Sequence, residues 1–518
     1  MSQKLLPIGI PTFRDVIEGG YLYIDKTELI YELASSPKGI YFLSRPRRFG
    51  KSLLISTLSE LFQGNRELFR DLWIDSAAYD WEAYPVLHLD FNLYRIHSVA
   101  ELETSVKYFL NQTAAQHGLT LTDTLYFIQF AELLSGLAKK YGKRVVVLID
   151  EYDKPLIDNL NNLEEAKRIR DFLKGFYRVL KSMDAQLRFL FLTGISKFSK
   201  VGVFSDLNNL FDISMLDRYA ALPGTTQAEV EHYFADRIET FAAKKSLSRA
   251  ELLAQIRHWY NGFAFSKATL GTYNPFSLLQ LFETESFSNF WFESGTPIFL
   301  VNLIATGKYT VQELTQLKVE EIAFSTYELE NLAIVPLLFQ TGYLTIKGYD
   351  ENRRVYTLGH PNFEVENAFQ VYLLGAFSQI EPSLSTSYLW QLIDALHDAN
   401  LATFFEVLHI FAQIPYTTQL PREKYYQSIF FLLFKLIGLR ASAEVTTNQG
   451  RIDAVIEVDN AIYLFEFKLN GSAENALVQI KETQYYQQYQ GKNKPLHLVG
   501  VNFSMRKRGL SNWKEETV

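Results

Sequence analysis

Three groups of residues in this sequence have types and spacing that could do chemistry. The first is RPRRFGKS at residues 45–52, which ends in the Gly-Lys-Ser triplet of a phosphate-binding loop. In such a loop Lys51 would reach the outer phosphates of a nucleotide and Ser52 would ligate Mg²⁺. Arg45 stands where the pattern G-x-x-x-x-G-K-[ST] has its first glycine, so the surrounding elements must decide whether the loop is functional.

The second group lies at the ends of two apolar segments. VVVLIDEYD at 145–153 is typical of a buried parallel strand that ends in carboxylates, where Asp150 would hold the hydration shell of Mg²⁺ and Glu151 would orient a water. The segment 189–196 contains Thr193, whose hydroxyl could sense a γ-phosphate. A buried strand followed by a charged turn remains the alternative for the acidic pair.

The third group lies near the end of the chain. Asp453 belongs to the apolar segment 451–458, and Glu466 and Lys468 belong to 461–469, with an Asp-Asn turn signal between the two. Because Glu466 and Lys468 are two residues apart in a predicted strand, they share a face. Two carboxylates holding Mg²⁺ and a lysine orienting a water would make a phosphodiester-cleaving centre. A structural ion pair at a sheet edge is the alternative.

Alternating elements would position the first two groups. GIYFLS at 39–44 is a short strand, 52–62 has helical spacing, and PVLHLDFN at 85–92 is another strand. The alternation of strands and helices predicts a parallel α/β sheet. Ligands bind at the carboxyl ends of such strands, where all the polar groups of this half fall.

The middle of the chain is predicted to be mostly helical. Thr226 and Glu229 have capping-box spacing at the start of a helical lid. The Asn-Gly and Asn-Pro steps in WYNGFAFS and YNPFSLL are interpreted as turns between helices without chemistry of their own. Residues 337–360 alternate on both sides of a polar turn and predict a β-hairpin.

The last hundred residues predict a helix, two strands, a helix and a strand. The helices are expected at 422–437 and 473–489, and the final strand at 496–503. We expect four regions in all. They are 1–222, a P-loop core; 223–335, a helical lid; 336–418, a connecting region; and 419–518, a small α/β domain.

Composition excludes several classes of protein. Hydrophobic residues make up 47% of the chain and aromatic residues 15%, which argues against disorder. The absence of cysteine excludes disulfides and a cysteine nucleophile. No signal peptide and no apolar run of bilayer length are found, so we expect a cytoplasmic protein with no membrane contact. The net charge of -7 means that any nucleic-acid contact must be local.

The first half resembles a known family. YIDKTELI, RPRRFGKS, LIDEYDKP, LTGISKFSK and FSDLNNLFDIS look like motifs of the bacterial AAA-ATPase-like family, whose phosphate loop usually lacks the first glycine. The resemblance implies ATP and Mg²⁺ as cofactors, with Ser52 and Asp150 at the metal and Glu151 as the catalytic acid. From their charge, Arg45, Arg47 and Arg48 could add phosphate contacts, and a solvated basic loop is the alternative. The predicted nucleotide-binding residues are Arg48, Phe49, Gly50, Lys51, Ser52, Leu53, Asp150 and Thr193.

The last segment resembles the PD-(D/E)XK nuclease superfamily over about residues 420–505. Its motif set is EKYYQSIFFLLFKLIG, GRIDAVIE, EFKL and ALVQIK. The resemblance implies that Asp453 and Glu466 are metal ligands and that Lys468 is the catalytic lysine. Glu423 matches the acid of the first helix and Gln479 the polar residue of the later helix. A surface position without a functional role is the alternative for Gln479.

Together these patterns predict an α/β protein with a P-loop NTPase parallel sheet and helical lid, a mixed α/β region and a restriction-endonuclease-like α/β domain. The predicted function is ATP binding and hydrolysis that drives or gates a Mg²⁺-dependent nuclease. Its substrate would be nucleic acid, with DNA favoured. The alternative is an ATP-dependent switch, or a signalling or defence ATPase, whose nuclease-like domain only binds nucleic acid or a protein. A homo-oligomer is left open.

Overall fold

In the computed structural model the described residues fall into two units. The described residues up to 364 form the first unit and those from 365 onward form the second. Within the described part of the chain, no helix combines the length and apolar character needed to cross a bilayer. The described residues are 3–197, 207, 209–293, 317–324, 334–413, 422–441, 444–447, 453–504, 506 and 509–518.

The first unit contains eight described strands and thirteen described helices. The strands are β1 (Gly39–Ser44), β2 (Val86–Asp90), β3 (Val145–Asp150), β4 (Leu187–Gly194), β5 (Phe211–Asp212), β6 (Leu317–Glu320), β7 (Thr345–Asp350) and β8 (Val355–Gly359). The helices are α1 (Phe13–Glu18), α2 (Thr27–Ala34), α3 (Lys51–Phe62), α4 (Val99–Gln116), α5 (Tyr126–Tyr141), α6 (Lys154–Ile157), α7 (Leu163–Ser182), α8 (Gln227–Tyr233), α9 (Ala235–Lys245), α10 (Arg249–Tyr260), α11 (Pro275–Thr284), α12 (Phe290–Glu293) and α13 (Ile334–Thr341).

A five-stranded parallel sheet in the order β2-β3-β4-β1-β5 lies at the centre of this unit. Every residue of β3 and β4 is buried, as their continuous apolar sequences require for strands covered on both faces. The predicted parallel sheet and its four predicted strands are confirmed. The fifth strand, β5, has two residues, which is too short for a sequence pattern to reveal.

The register of the sheet brings the predicted polar groups to one edge. Ser44 at the end of β1 pairs with Gly194 at the end of β4, and Ile149 near the end of β3 pairs with Leu192. Because all these strands run in the same direction, the segments that follow β1, β3 and β4 leave the sheet on the same side.

The helical region follows the sheet. Thr226 and Glu229 form the predicted capping box at the start of α8. The predicted hairpin at 337–360 is confirmed only in its second part, where β7 and β8 pair antiparallel. Its first residues belong to α13, because an apolar run of this length can also be a buried helix.

The second unit contains a mixed sheet in the order β13-β12-β11-β10-β9. β11 and β12 pair parallel, and the other neighbours pair antiparallel. The strands are β9 (Glu444–Thr447), β10 (Asp453–Glu457), β11 (Ile462–Leu469), β12 (Leu496–Ser504) and β13 (Gly509–Thr517). The helices are α14 (Phe363–Ser378), whose first two residues lie in the first unit, α15 (Pro382–His397), α16 (Leu401–Ala412), α17 (Arg422–Ala441) and α18 (Ala473–Thr483).

The predicted order of this unit is confirmed with two additions and one correction. Strands β9 and β13 were not predicted; β13 is mostly polar and has little apolar alternation. The helix predicted over 473–489 ends at Thr483 and continues as a 3₁₀ turn over Tyr485–Tyr489. The finer division of the chain into four regions remains a prediction.

Candidate active sites

The loop between β1 and α3 has the backbone shape of a phosphate cradle. Gly50 is the N-cap of α3 and has left-handed dihedral angles, φ 85° and ψ 20°. Arg48 also has a positive φ, of 63°. Because the N-cap is a glycine, no N-cap side chain accepts from the first backbone N–H groups of α3. These groups and the positive end of the helix dipole favour a bound anion.

Arg45 corrects one prediction. It is 1% exposed, so it is neither a phosphate contact nor a solvated loop residue. Its guanidinium donates to the backbone carbonyl oxygens of Ser214 at 2.8 Å and Tyr219 at 3.0 Å, and it lies 4.3 Å from the ring centroid of Phe265. The residue in place of the first glycine therefore ties the end of β1 to the segment that follows β5.

Lys51 lies at the floor of the site. It is 4% exposed, and its Nζ is 3.2 Å from Glu151 Oε1 and donates to the carbonyl oxygen of Pro46 at 3.2 Å. Glu151 has a positive φ of 49°, an uncommon backbone conformation for a residue with a side chain. The two predicted functional groups are therefore in direct contact, and a phosphate would compete with Glu151 for the ammonium group.

Asp150 is buried behind this pair. Burial, with a smaller contribution from the nearby Glu151 carboxylate, raises the pKa of Asp150 to about 7. A hydrogen bond with the Ser52 hydroxyl and the charge of Lys51 oppose that shift. A carboxylate beside a hydroxyl offers the oxygen ligands that Mg²⁺ prefers, and a bound cation would favour the ionised carboxylate. Ser52 and Asp150 thus fit the predicted metal site.

A cavity of about 490 Å³ opens over these residues. Its walls also include Ile195, which follows β4, and Phe276 at the start of α11. The cavity brings together groups that are far apart in sequence. The predicted site residues that line it are Arg47, Arg48, Gly50, Lys51, Ser52, Leu53 and Glu151.

Three predicted nucleotide-binding residues lie outside the lining of this cavity, namely Asp150, which is buried, Phe49 and Thr193. The Phe49 ring is fully buried and packs against Phe263 and Phe265, with centroid distances of 4.9 and 5.3 Å. Thr193 is also buried, and its hydroxyl donates to the carbonyl oxygen of Leu43 at 2.8 Å. A nucleotide contact from Phe49 would come from its backbone, and the γ-phosphate role of Thr193 remains a prediction.

In the second unit, three predicted residues are in contact. Lys468 Nζ donates to Glu466 Oε1 at 3.0 Å and also to Gln479 Oε1. Glu466 is only 5% exposed, so its carboxylate is largely removed from water. Asp453 on β10 is the register partner of Glu466 on β11. The predicted shared face of Glu466 and Lys468 is confirmed, and Gln479 on α18 reaches the same place.

Parts of the predicted centre lie outside the described side chains. Glu423 belongs to α17 and Asp453 to β10, but their side chains are among those that the structure leaves undescribed. Among the described side chains, no group of three His, Asp or Glu residues is placed to hold a metal ion. The metal roles of Asp453 and Glu466 therefore remain predictions.

Two family models and one relative match the parts of this chain that contain the two candidate sites. The family model described as “Predicted AAA-ATPase” matches residues 7–204, and the model described as “PD-(D/E)XK nuclease superfamily” matches residues 421–513. A relative from Azotobacter chroococcum mcd 1, “Uncharacterized protein in vnfD 5'region”, is 39% identical over 534 residues, and the alignment covers 100% of each chain. The chain belongs to the AAA-ATPase-like family.

The AAA-ATPase-like protein also carries a PD-(D/E)XK nuclease superfamily domain. The two domains support an ATPase and a nuclease-like function, since such domains generally use a nucleotide and a divalent metal and PD-(D/E)XK nuclease domains act on nucleic acids. All predicted nucleotide-binding residues lie within the first match, and all predicted nuclease residues lie within the second.

One residue of this AAA-ATPase-like site was missed by the sequence analysis. Asp153 is fully buried and accepts hydrogen bonds from the backbone N–H of Ser196 at 2.6 Å, from the Ser196 hydroxyl and from the N–H of Ile195 at 3.2 Å. It therefore ties the segment after β3 to the segment after β4. The third acid of DEYD was the available signal, because a buried carboxylate requires partners.

An apolar cavity adjoins the phosphate cavity in the AAA-ATPase-like unit. Gly50, Leu53 and Leu279 line both cavities. Lys26 also lines the apolar cavity, and its Nζ lies 2.6 Å from Glu229 Oε1, an ion pair that joins the N-terminal segment to α8. An apolar cavity beside an anion cradle suits a ligand with a flat base and a phosphate chain.

Proposed function

We propose that this protein binds and hydrolyses ATP with Mg²⁺ and that this reaction drives or gates a Mg²⁺-dependent nuclease acting on nucleic acid. One observation carries the proposal. Lys51, Ser52 and Glu151 line a single cavity at the carboxyl edge of a parallel sheet, and the carboxyl group of Asp150 is buried directly before Glu151 at the end of β3.

In the proposed ATPase each residue has a separate task. The N–H groups of α3 and the Lys51 ammonium bind the phosphates, and the adjoining apolar cavity holds the base. Ser52 and Asp150 would hold Mg²⁺, which supplies charge neutralisation at the phosphate oxygens. Glu151 orients the attacking water and accepts its proton once a phosphate has replaced it on Lys51.

Replacing Lys51 tests nucleotide binding. We expect Lys51→Ala to weaken MgATP binding by several kcal/mol, on the order of a hundredfold in Kd, because the cation at the outer phosphates is lost. Lys154→Ala is the matched control, because Lys154 lines the same cavity but pairs with Asp158 at 2.8 Å. Isothermal titration measures both variants, and equal affinities for wild type and Lys51→Ala would remove the P-loop assignment.

In the proposed nuclease, Asp453 and Glu466 would hold Mg²⁺, which stabilises the charge that develops on the phosphate. Lys468 orients the attacking water, and Gln479 holds the lysine. Glu423 would extend the site from α17. The support is the contact of Lys468 with both Glu466 and Gln479, together with the register that sets Asp453 opposite Glu466.

Replacing the three central residues tests the nuclease. Asp453→Ala, Glu466→Ala and Lys468→Ala should each abolish Mg²⁺-dependent cleavage of DNA or RNA while ATP turnover is kept. Lys494→Ala is the matched control, because Lys494 and Glu457 form an ion pair at the same 3.0 Å distance as Lys468 and Glu466. Cleavage by the Glu466→Ala protein at the wild-type rate would contradict the assignment.

The Lys468–Glu466 contact also favours a second candidate, an ATP-dependent switch whose nuclease-like domain only binds nucleic acid or a protein. A buried carboxylate paired with a lysine is what a structural ion pair requires. Under this reading single replacements destabilise the fold by a few kcal/mol and Mg²⁺ changes nothing. Thermal unfolding with and without Mg²⁺ separates the two candidates.

A further inference from the structure

Two side chains from the helical region hydrogen-bond to the backbone of the phosphate loop. The indole Nε1 of Trp291 donates to the carbonyl oxygen of Arg47 at 3.0 Å, and the Asn274 amide donates to the same oxygen at 3.4 Å. Both residues follow the segment matched by the AAA-ATPase model, which ends at residue 204. The sequence had predicted only a turn at Asn274.

The same two residues are joined behind the loop. Asn274 Oδ1 accepts from the backbone N–H of Ser277 at 3.2 Å, and the Ser277 hydroxyl donates to Glu364 Oε2 at 2.9 Å. The Glu364 carboxylate also accepts from the backbone N–H of Trp291 at 2.7 Å. The bonds form a closed ring from Arg47 through Asn274, Ser277, Glu364 and Trp291. We call the side chains of Asn274, Ser277, Glu364 and Trp291 the loop clamp.

The loop clamp is shielded from water. Asn274, Ser277 and Glu364 have no exposed surface, and Trp291 is 6% exposed. A buried carboxylate is retained only where donors satisfy it, so Glu364 fixes Ser277 and Trp291 in place. The Glu364 carboxylate must keep these donors, so its position fixes the geometry of the ring of hydrogen bonds.

Holding the Arg47 carbonyl has a consequence for the next residue. The peptide between Arg47 and Arg48 is trans, because the cis bond of the described chain is at Leu222–Pro223. In a trans peptide the C=O and the following N–H point in opposite directions. The clamp therefore turns the N–H of Arg48 away from itself. Arg48 lines the phosphate cavity and has the strained φ of 63°, which needs external support.

We propose that Trp291 and Glu364 are positioning residues that orient the 47–48 peptide so that the Arg48 N–H faces the nucleotide phosphates. The inference rests on the proposed function, that a nucleotide binds at this loop. It deepens that function by making phosphate affinity depend on the helical region. A ligand bound in the cavity should then change the environment of the Trp291 indole.

The test compares two tryptophan variants of the full chain. Trp291→Phe keeps an aromatic ring and removes the N–H donor to Arg47. Trp259→Phe is the matched control, because it makes the same substitution at a tryptophan outside the loop clamp. The ring of Trp259 packs on Phe363 at a centroid distance of 4.5 Å. We expect Trp291→Phe to weaken binding of MgATP and of inorganic triphosphate by about tenfold, the effect of one lost hydrogen bond, and to leave adenosine binding unchanged. Trp259→Phe should change none of the three.

Conservative rescue at Glu364 separates positioning from general damage. Glu364→Gln can still accept from Trp291 and donate to Ser277, so its triphosphate affinity should stay within about threefold of wild type, whereas Glu364→Leu should lose about tenfold. If the variants do not fold, wild-type protein labelled with 5-fluorotryptophan keeps the test open. Its Trp291 resonance should shift when MgATP is added.

The outcomes distinguish the inference from the proposed function. Wild-type protein that binds no MgATP would remove both. Two results would overturn the inference and leave the ATP site in place. One is a Trp291→Phe variant that binds MgATP with the wild-type affinity, and the other is a Trp291 resonance that does not shift when MgATP binds. An equal loss for adenosine and triphosphate would also overturn it, because a general packing defect would then explain the variant.

Discussion

The contact between Lys51 and Glu151 makes a specific prediction about catalysis. Glu151→Gln removes the negative charge 3.2 Å from Lys51 Nζ, so the ammonium becomes more available to phosphate. We expect MgATP to bind at least as tightly as to wild type, while turnover falls at least about tenfold because the group that orients the water is lost. Isothermal titration and phosphate release measure the two effects.

A collapse of binding would contradict this prediction. Glu151 would then be a structural partner of Lys51 rather than the base. Lys154→Ala is again the control. It also removes a charged side chain that lines this cavity, but Lys154 pairs with Asp158 and not with Lys51 or Glu151.

The raised pKa of Asp150 predicts a pH dependence. Burial moves this pKa from 3.8 to about 7. Between these values the folded state keeps a proton that the unfolded state has lost, so the free energy of unfolding falls as pH rises, by an amount on the order of a few kcal/mol. Mg²⁺ needs the ionised carboxylate, so its stabilising effect should grow over the same range.

Melting temperatures at pH 5, 6, 7 and 8, with and without Mg²⁺ and nucleotide, measure both trends. Asp150→Asn should flatten both of them. A Mg²⁺ effect that is the same at pH 5 and pH 8 in wild-type protein would contradict the assignment of Asp150 to the metal.

At the level of elements, the phosphate site depends on how closely the ends of β3 and β4 approach. A Cβ on Gly194 would overlap Asp153 Oδ1 and lie 2.7 Å from Tyr152 Cδ1. Gly194→Ala should therefore push the two segments apart and destabilise the fold by about 1–3 kcal/mol, with slower ATP turnover. Chemical denaturation and phosphate release measure the two results.

Gly348→Ala is the matched control for Gly194→Ala. Gly348 lies in β7, and a Cβ there would meet no atom within 4 Å. Equal stability of Gly194→Ala and wild type would show that the two strand ends can separate without cost.

At the level of the whole molecule, the proposed gating links two compact units. The chain passes from the first unit to the second within α14, between Glu364 and Val365. We expect MgATP to change the rate of metal-dependent cleavage by wild-type protein at least severalfold. Lys51→Ala should keep a basal rate that no longer responds to ATP, because its nucleotide site is impaired.

Cleavage assays with MgATP, with MgADP and without nucleotide test this coupling, and sizing in the same conditions tests whether ATP changes the oligomeric state. Asp453→Ala should keep ATP turnover and lose cleavage. Wild-type cleavage at one rate in all three conditions would separate the two activities.

The sequence alone determined the strands of the parallel sheet, the Gly-Lys-Ser turn between β1 and α3, the acidic strand end and the hairpin whose second strand carries Glu466 and Lys468. These features depend on residues that are close together in the sequence. Apolar periodicity indicates the strands, a glycine before a lysine indicates the loop, and a turn signal indicates the hairpin. The sequence also indicated the capping box at Thr226, for the same local reason.

Only the tertiary structure decided how distant segments complete the sites. The partners of Arg45 and the donors of Asp153 come from other elements, and Trp291 reaches Arg47 across 244 residues. The register of Asp453 against Glu466 and the contact of Gln479 with Lys468 are likewise set by sheet pairing and helix packing. Such contacts join a side chain to a backbone or a partner far along the chain, so they leave no periodic pattern, and their geometry exists only once the cores have packed.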